Sequence, residues 1–370
     1  MQGEQQGNRA TVAGVITFSF LPVLLVAFLY PDARRGHTDF LSFYTGARLV
    51  GTEDLYSIER AGEIQAPYGA PDQIVGYTRP PFFAVFVYPL GLLPYSVGHT
   101  IWQFLNVAAL AGFIALWPRN RIFAAILSCW FVPILGNFSG GQDAPILLFL
   151  VAATLNLLRS GRPFLAGAVL ALCAFKFHLF VLTPVWIIAT RRWRVAYGML
   201  CAGAVLAAIS FGAAGPNWIP VNWAATRRYD AALDYTAKMP NLLGLLHAMP
   251  HADVLVSIGA LGVAILTWLV ARKEDADFAF ALTLAGGVLV GMHGFLYDCS
   301  LLLPLLLALA ERFGNTFALR LSAVLSLLTI TLTIPAVSYV GQLSVIALFG
   351  YAVYAALTSR TAATRVARAA

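Results

Sequence analysis

Residues Thr11 to Tyr30 read TVAGVITFSFLPVLLVAFLY, twenty consecutive residues without a charged side chain. A helix of this length matches the hydrocarbon thickness of a bilayer. No small-residue cleavage pattern follows it, so we expect a retained first membrane span and not a signal peptide. The rest of the chain continues in the same way, since 59% of its 370 residues are hydrophobic and 11% are charged. The composition therefore predicts a polytopic membrane protein.

Further apolar runs follow the first one and predict an all-α fold with about twelve transmembrane helices in one membrane domain, residues 1–370. The apolar piece Pro80 to Pro94 is bracketed by prolines and is too short to span, so we expect a re-entrant or interfacial hairpin there. The four cysteines lack the spacing of a metal site or a disulfide framework. The expected spans are approximately 11–30, 95–117, 121–138, 143–159, 162–178, 179–190, 193–214, 251–271, 277–292, 299–311, 316–338 and 341–358.

The basic residues give the expected orientation. If both termini are cytoplasmic, fifteen of the 24 Lys and Arg residues fall on the inner side with five acidic residues, and nine fall outside with twelve acidic ones. Short cytoplasmic loops retain Lys and Arg, so this pattern predicts an N-in, C-in protein with an even number of spans. The basic pI then reflects orientation, and no nucleic-acid partner is needed to explain it.

Two long loops are assigned to the outer side, residues 31–80 and residues 215–250. In the first, Phe40, Phe43, Tyr44 and Ala47 recur at helical spacing, which predicts an amphipathic helix that begins at Asp39. An Asp at this position either caps the helix or performs chemistry, and composition alone favours capping. The second loop carries aromatic residues suited to a membrane interface, namely Trp218, Trp223, Tyr229 and Tyr235.

Several polar residues share the expected outer ends of the apolar runs. An ionisable group there is costly unless it is paired or hydrated, so each is a functional candidate. Ordinary structural roles are the alternatives: Lys176 snorkels to the headgroups, His293 satisfies a carbonyl, and Gln142 with Asp143 caps the next helix. The candidates are Tyr77, Arg79, Gln142, Asp143, Lys176, His178, Asn241, His293, Tyr297 and Asp298.

The order of these segments resembles the GT-C membrane glycosyltransferases of family 87, which includes α-1,2-mannosyltransferases. The resemblance covers roughly Asp39 to Leu309 and depends on order and spacing, since no single motif is specific. The matching pieces are TDFLSFYTGARLVGTEDLYS, YTRPPFFAVFVYPLGLLPYSVGHTIWQFLN, GGQDAPILLFLVAATLNLL, LAGAVLALCAFKFHLFVLTPVW, MPNLLGLL and HGFLYDCSLLLPLLLAL.

This resemblance implies a GT-C fold in the bacterial cytoplasmic membrane, with an active site on the periplasmic or extracellular face. It also implies a polyprenyl-phosphate-sugar donor and inversion at the anomeric carbon. Mannose is the sugar that the family favours. A catalytic Asp in the first external loop maps to Asp39, and a family histidine maps to His293. The acceptor is a lipid or a glycan, and membrane lipids surround the protein.

The chemistry of such a transfer needs a base for the incoming hydroxyl and stabilisation of the leaving phosphate. The expected base is Asp39, and the expected phosphate ligands are Arg79, Lys176, Arg227 and Arg228. No DxD triplet or metal-ligand spacing occurs in the chain, so we expect no cofactor and no metal requirement. The remaining candidates, expected to contact substrate, are Tyr44, Tyr77, Gln142, Asp143, His178, Asn241, Tyr297 and Asp298.

A polytopic transporter or a flippase for lipid-linked sugars is the alternative function. Such proteins commonly show internal repeats and place polar groups near the middle of the bilayer. The sequence shows no repeat, and its polar candidates fall at one expected side of the membrane. These two features favour the glycosyltransferase.

Overall fold

The computed structural model describes residues 14–30, 39–68, 74–118, 120–233 and 235–358, without the side chains of 229–233. Every regular element within these ranges is a helix, which confirms the predicted all-α class for them. Several predicted features lie outside the described residues: the start of the first apolar run, parts of the loop 31–80, and the basic residues of the C-terminal tail.

Six helices in the described residues are long and apolar enough to cross a membrane, which supports a multi-pass protein. A seventh crossing is possible if Arg121–Trp130 and Val132–Gly140, which bend by 58°, form one broken span. The count of about twelve spans stays a prediction, because several predicted spans are helices too short to meet this length criterion, such as Ala144–Arg159 and Thr183–Thr190. The six are Tyr95–Leu116, Pro163–Phe180, Trp193–Ala214, Ala252–Ala271, Asn315–Thr333 and Pro335–Thr358.

The chain divides into two compact units, and each is described by itself. The first comprises the described parts of Met1–Lys176 and Tyr197–Tyr235, and the second those of Phe177–Ala196 and Thr236–Ala370. Besides the spans, the helices of the first unit are Gly14–Leu29, Phe40–Leu49, Ile58–Gln65, Ala66–Tyr68, Pro81–Gly91, Arg121–Trp130, Val132–Gly140, Ala144–Arg159 and Trp218–Leu233. Those of the second are Thr183–Thr190, Thr236–Lys238, Leu242–Leu246, Ala276–Val290, Leu296–Leu302 and Leu303–Phe313.

The helix Phe40–Leu49 lies in the interior of the first unit. The predicted helix is present, and nine of its ten residues are buried, with Arg48 the exception. Its polar face is satisfied inside the protein: Ser42 Oγ donates to the Gly76 carbonyl at 2.8 Å, and Thr45 Oγ1 accepts a hydrogen bond from Gln65 Nε2 at 3.0 Å. A helix whose polar face has internal partners can be buried on all sides.

The proline-bracketed segment forms one helix, Pro81–Gly91, and not the predicted hairpin. Pro89 lies inside this helix without ending it. Eleven residues give about 16 Å of helix, too short to cross a bilayer. The helix packs against Phe40–Leu49, where Gly91 allows a close approach to Ala47.

The second unit is built around the helix Ala276–Val290, in which every residue from Phe278 to Leu289 is buried. A helix that is apolar all round belongs either in a protein core or across a membrane, and the burial of these residues places this helix in the core of the unit. Gly287 permits this packing, because a Cβ atom there would collide with the Leu179 carbonyl oxygen. The core of this unit therefore depends on a small residue at one close contact.

Candidate functional site

Asp39 stands at the first turn of the Phe40–Leu49 helix, as the sequence predicts, but its side chain does not cap that helix. Its backbone N–H donates to the Gly140 carbonyl at 2.8 Å. Its Oδ2 atom instead accepts a hydrogen bond from Gln142 Nε2 at 2.6 Å. The capping interpretation of Asp39 is therefore wrong, and the half-buried carboxylate is directed toward a different part of the chain.

Gln142 and Asp143 lie in the turn after the helix Val132–Gly140. Gly141 adopts a left-handed conformation there with φ of 65°, and its carbonyl accepts a hydrogen bond from Trp102 Nε1 at 2.9 Å. The next helix is capped by Asn137, whose Oδ1 accepts from the Ala144 N–H at 2.8 Å. The predicted capping by Gln142 and Asp143 is wrong, because Asn137 performs it and leaves both side chains for other contacts.

Asp143 is the centre of a buried ion-pair network. Its side chain has no exposed surface, and it contacts Arg79 Nη2 at 3.0 Å and Lys176 Nζ at 2.9 Å. Only 1% of the Lys176 side chain is exposed, so this lysine does not snorkel to the headgroups. The backbone kinks at Lys176, where φ and ψ of −126° and 46° interrupt the Leu172–Phe180 helix. Two cations are thus held against one carboxylate in the interior.

Arg79 joins this network to Asp39. Its Nη2 donates to Gln142 Oε1 at 3.3 Å and its Nη1 to the Phe175 carbonyl at 3.4 Å. The guanidinium also lies 5.5 Å from the centre of the Phe43 ring, in range of a cation–π contact. We call Asp39, Arg79, Gln142, Asp143 and Lys176 the Asp39 cluster. Its two formal positive charges balance its two carboxylates.

The electrostatics of the cluster act on Asp39. Burial raises the pKa of this carboxyl above its ordinary value, while the Gln142 hydrogen bond and the charges of Lys176 and Arg79 oppose the rise. A raised pKa brings a carboxylate closer to the value suited to a general base near neutral pH. Burial, followed by the charge of Asp39, raises the pKa of Tyr235 as well. Tyr235 therefore lies within electrostatic range of Asp39, which the sequence reading missed because it assigned this tyrosine to the membrane interface.

Tyr44 and Tyr77 are buried within the first unit. Tyr44 is 1% exposed and its hydroxyl donates to the Leu93 carbonyl at 2.9 Å. Tyr77 is 2% exposed, donates to the Pro80 carbonyl at 3.0 Å, and covers Gly46 with its ring. Both hydroxyls have backbone partners, and the substrate contact of these two side chains stays a prediction.

Arg227 and Arg228 are exposed on the helix Trp218–Leu233 and make no ion pair with the Asp39 cluster. The Arg227 guanidinium lies 5.8 Å from the centre of the Trp223 ring. The same helix is fastened to the segment of Arg79, because Asn222 Nδ2 donates to the Thr78 carbonyl at 3.0 Å. The structure therefore does not bring these two arginines into the Asp39 cluster.

The other candidates belong to the second unit, where His178 and His293 meet edge to face with ring centres 5.8 Å apart. His293 in turn contacts the ring of Phe295 at 4.8 Å, and Phe295 contacts that of Tyr297 at 5.6 Å. The structure therefore places His178, His293 and Tyr297 in one continuous aromatic group.

Asn241 and Asp298 hold backbone in the second unit. Asn241 Nδ2 donates to the Gly291 carbonyl at 2.6 Å, and its Oδ1 caps a short helix by accepting from the Gly244 N–H. Asp298 Oδ2 accepts from the Phe295 N–H at 2.8 Å. These contacts order the chain on both sides of His293, and the substrate contact of the two residues stays a prediction.

No group of three His, Cys, Asp or Glu side chains in the described residues could hold a metal ion. The free cysteines Cys129, Cys173 and Cys299 are buried and Cys201 is exposed.

Within the described residues, several apolar spans and a half-buried carboxylate beside a buried charge network describe a membrane protein with a charged site in its interior. The family model for glycosyltransferase family 87 matches residues 77–296, more than half of the chain. The chain therefore belongs to glycosyltransferase family 87. The matched range contains Arg79, Gln142, Asp143 and Lys176 but begins after Asp39, so the structural link through Gln142 is what ties Asp39 to the family region.

Two curated relatives are similar to part of this chain. One is a polyprenol-phosphate-mannose-dependent alpha-(1-2)-phosphatidylinositol pentamannoside mannosyltransferase from Mycolicibacterium smegmatis, 30% identical over 225 residues, which are 58% of this chain and 50% of the relative. Its namesake from Mycobacterium tuberculosis is 30% identical over 228 residues, 53% of this chain and 52% of the relative. The chain thus spans about half the length of the curated relatives it matches. No solved structure matches the chain.

Proposed function

We propose that this protein is an inverting glycosyltransferase that moves a sugar, mannose by analogy with the two relatives, from a polyprenyl-phosphate donor to a lipid or glycan acceptor. The observation that carries the proposal is Asp39: a half-buried carboxylate with a raised pKa, held by Gln142 at the edge of a neutral charge cluster. Family membership and the names of the relatives support the donor class.

In the proposed reaction Asp39 is the general base. Its carboxylate takes the proton of the acceptor hydroxyl as that oxygen forms a bond to the anomeric carbon of the donor. The bond from the anomeric carbon to the phosphate oxygen breaks on the opposite face, and polyprenyl phosphate leaves with the electron pair. One base suffices for such an inverting displacement, because the phosphate leaves as a stable anion without needing an acid.

The leaving phosphate needs positive charge that is not already neutralised. Arg79 and Lys176 are buried against Asp143, whereas Arg227 and Arg228 are exposed and have no ion pair with that cluster. We therefore assign the donor phosphate to Arg227 and Arg228 and give Arg79 and Lys176 an electrostatic role around Asp39. This assignment refines the sequence-based expectation, which treated all four cations alike. The role of His293 in orienting the acceptor stays a prediction.

The arrangement in the membrane is also part of the proposal. We propose a GT-C fold with about twelve passes in a bacterial cytoplasmic membrane, both termini inside, and an active site on the periplasmic or extracellular face. The bias of the basic residues supports the proposed orientation. Labelling of single cysteines introduced at Glu53 and at Arg272 tests the orientation: a reagent that does not cross the membrane should modify the first in intact cells and not the second.

The decisive experiment is turnover by the purified full chain in nanodiscs. A panel of polyprenyl-phosphate sugars is supplied with membrane lipid extracts as acceptors, and cleavage of the donor is followed by mass spectrometry. Asp39→Asn should lower turnover by about 10²–10⁴-fold, the usual contribution of a general base, with donor binding retained. The matched control is Asp253→Asn, which removes an exposed carboxylate from the second unit. Normal turnover by a folded Asp39→Asn protein would reject the assignment, and vectorial movement of donor without cleavage would favour a flippase.

A further inference from the structure

We infer that Gln142 is the positioning residue of the catalytic base: it holds Asp39 by one carboxylate oxygen, and Arg79 determines which way its amide points. The inference rests on the proposed function for its catalytic meaning, but its geometric content concerns this chain alone. Gln142 was expected from the sequence to contact substrate, and the structure instead places it between two charged side chains.

The orientation of the Gln142 amide follows from the chemistry of its two partners. Arg79 has only donors, so it must face the amide oxygen, and the contact from Nη2 to Oε1 is 3.3 Å. An ionised Asp39 has only acceptors, so it must face the amide nitrogen, and the contact from Nε2 to Oδ2 is 2.6 Å. If the amide were reversed, its nitrogen would face the donors of Arg79 and its oxygen would face the acceptors of Asp39. Gln142 is also only 4% exposed, so water cannot replace either partner easily.

Arg79 is itself held in place, which makes the orientation durable. Asp143 holds its guanidinium at 3.0 Å, the Phe175 carbonyl accepts from it, and the Phe43 ring lies below it. Lys176 fixes the other oxygen of Asp143 at 2.9 Å. A chain of polar contacts therefore runs from Lys176 through Asp143, Arg79 and Gln142 to Asp39.

The arrangement distinguishes the two oxygens of Asp39. Oδ2 is occupied by Gln142, whereas within the part of the chain that the structure describes Oδ1 has no hydrogen bond. Because one oxygen is tethered and the other is not, the free Oδ1 is the atom that would take the proton from the acceptor hydroxyl. Loss of the tether should release the carboxylate to rotate and should also weaken its ionised form, since a hydrogen bond to a carboxylate favours ionisation.

The test measures the protonation of Asp39 directly, so it does not require activity. Dicyclohexylcarbodiimide modifies protonated carboxyl groups in membrane proteins, and the rate at Asp39, followed by peptide mass spectrometry of the full chain across pH, gives a midpoint. Gln142→Ala should move this midpoint upward by about one pH unit, since hydrogen bonds to charged groups contribute about 1.5–3 kcal/mol and one unit corresponds to 1.36 kcal/mol. Gln142→Glu keeps the size of the side chain and should move it further, because two carboxylates then share the site.

The matched control is Gln342→Ala, which removes another buried glutamine whose amide donates to the carbonyls of Ala237 and Met239 and to no carboxylate that the structure describes. It should leave the Asp39 midpoint in place. An unchanged midpoint in Gln142→Ala, in protein that elutes as a single species, would overturn the inference.

Turnover adds a second readout. If the wild type turns over donor, Gln142→Ala should lower kcat at least tenfold with little change in KM, and the acidic limb of its pH profile should move upward. A rise in KM with an unmoved limb would make Gln142 a substrate contact and would overturn the positioning role. If the wild type shows no turnover with any donor, the proposed function fails while the labelling midpoint still decides the inference.

Discussion

The charge balance around Asp143 yields a quantitative prediction for the substitution Asp143→Asn. Asn has nearly the same shape, but it leaves Lys176 and Arg79 without their shared counter-charge in a site where the Lys176 side chain is 1% exposed. Breaking a buried ion pair by removing one partner costs about 3–5 kcal/mol, because a buried charge is left uncompensated. Arg79 keeps its contacts with Gln142 and Phe175.

A double-mutant cycle isolates the interaction free energy between Asp143 and Lys176. Lys176→Met removes the second charge and keeps the length of the side chain, so Asp143→Asn combined with Lys176→Met restores neutrality. We expect the double variant to be more stable than Asp143→Asn alone, with a coupling energy of about 1–3 kcal/mol. The free energy of unfolding is measured by titration with SDS in mixed micelles, followed by tryptophan fluorescence.

The control is Asp275→Asn, because Asp275 is exposed and caps a helix through the N–H groups of Asp277 and Phe278, a role that Asn fills equally well. It should change stability by less than about 0.5 kcal/mol. The reasoning is refuted if Asp143→Asn is as mild as this control, or if the effects of the two substitutions at Asp143 and Lys176 are additive.

Three further predictions follow from single features. The pKa of Asp39 is raised from its ordinary 3.8 in the folded state, so the folded protein binds the proton more tightly than the unfolded chain does. Stability should therefore fall as the pH rises from 3.8 through the raised pKa. Asp39→Asn should abolish this pH dependence and be more stable than the wild type at neutral pH, as measured by thermal unfolding across pH. Turnover should survive EDTA, and loss that Mg²⁺ or Mn²⁺ restores would contradict metal independence. Gly287→Ala should destabilise the second unit through collision with Leu179, whereas Gly262→Ala, where a Cβ meets open space, should be neutral or stabilising; equal unfolding temperatures would contradict the packing argument.

Asp39 shows where sequence reasoning succeeded and where it failed. The helical spacing after it correctly predicted a helix that starts there and ends before Gly51, which has a φ of 86°. Local propensity then favoured capping, because Asp is a preferred N-cap. The contact with Gln142, more than a hundred residues away, overrode that preference, and no local pattern carries information about such a partner.

The candidate residues were found for a physical reason, whereas their roles were not. Lys176, Asp143 and Arg79 stood out because ionisable groups at the ends of apolar runs are costly, and that cost requires partners. Which cation neutralises which acid depends on how distant segments pack. Tyr235 was assigned to the membrane interface because an aromatic residue near a lipid boundary and one near a carboxylate look alike in sequence.

The sequence by itself determined the class of this protein, since apolar runs of membrane length and a low share of charged residues leave no other environment for the chain. It also determined which side chains must be compensated, because burying a charge is costly in any fold. Only the tertiary structure decided that Asp143 neutralises two cations, that Asn137 caps in its place, and that Gln142 holds Asp39. Those pairings join residues 39, 79, 142 and 176, and contacts over such separations arise from the packing of helices and not from the local preferences of the residues involved.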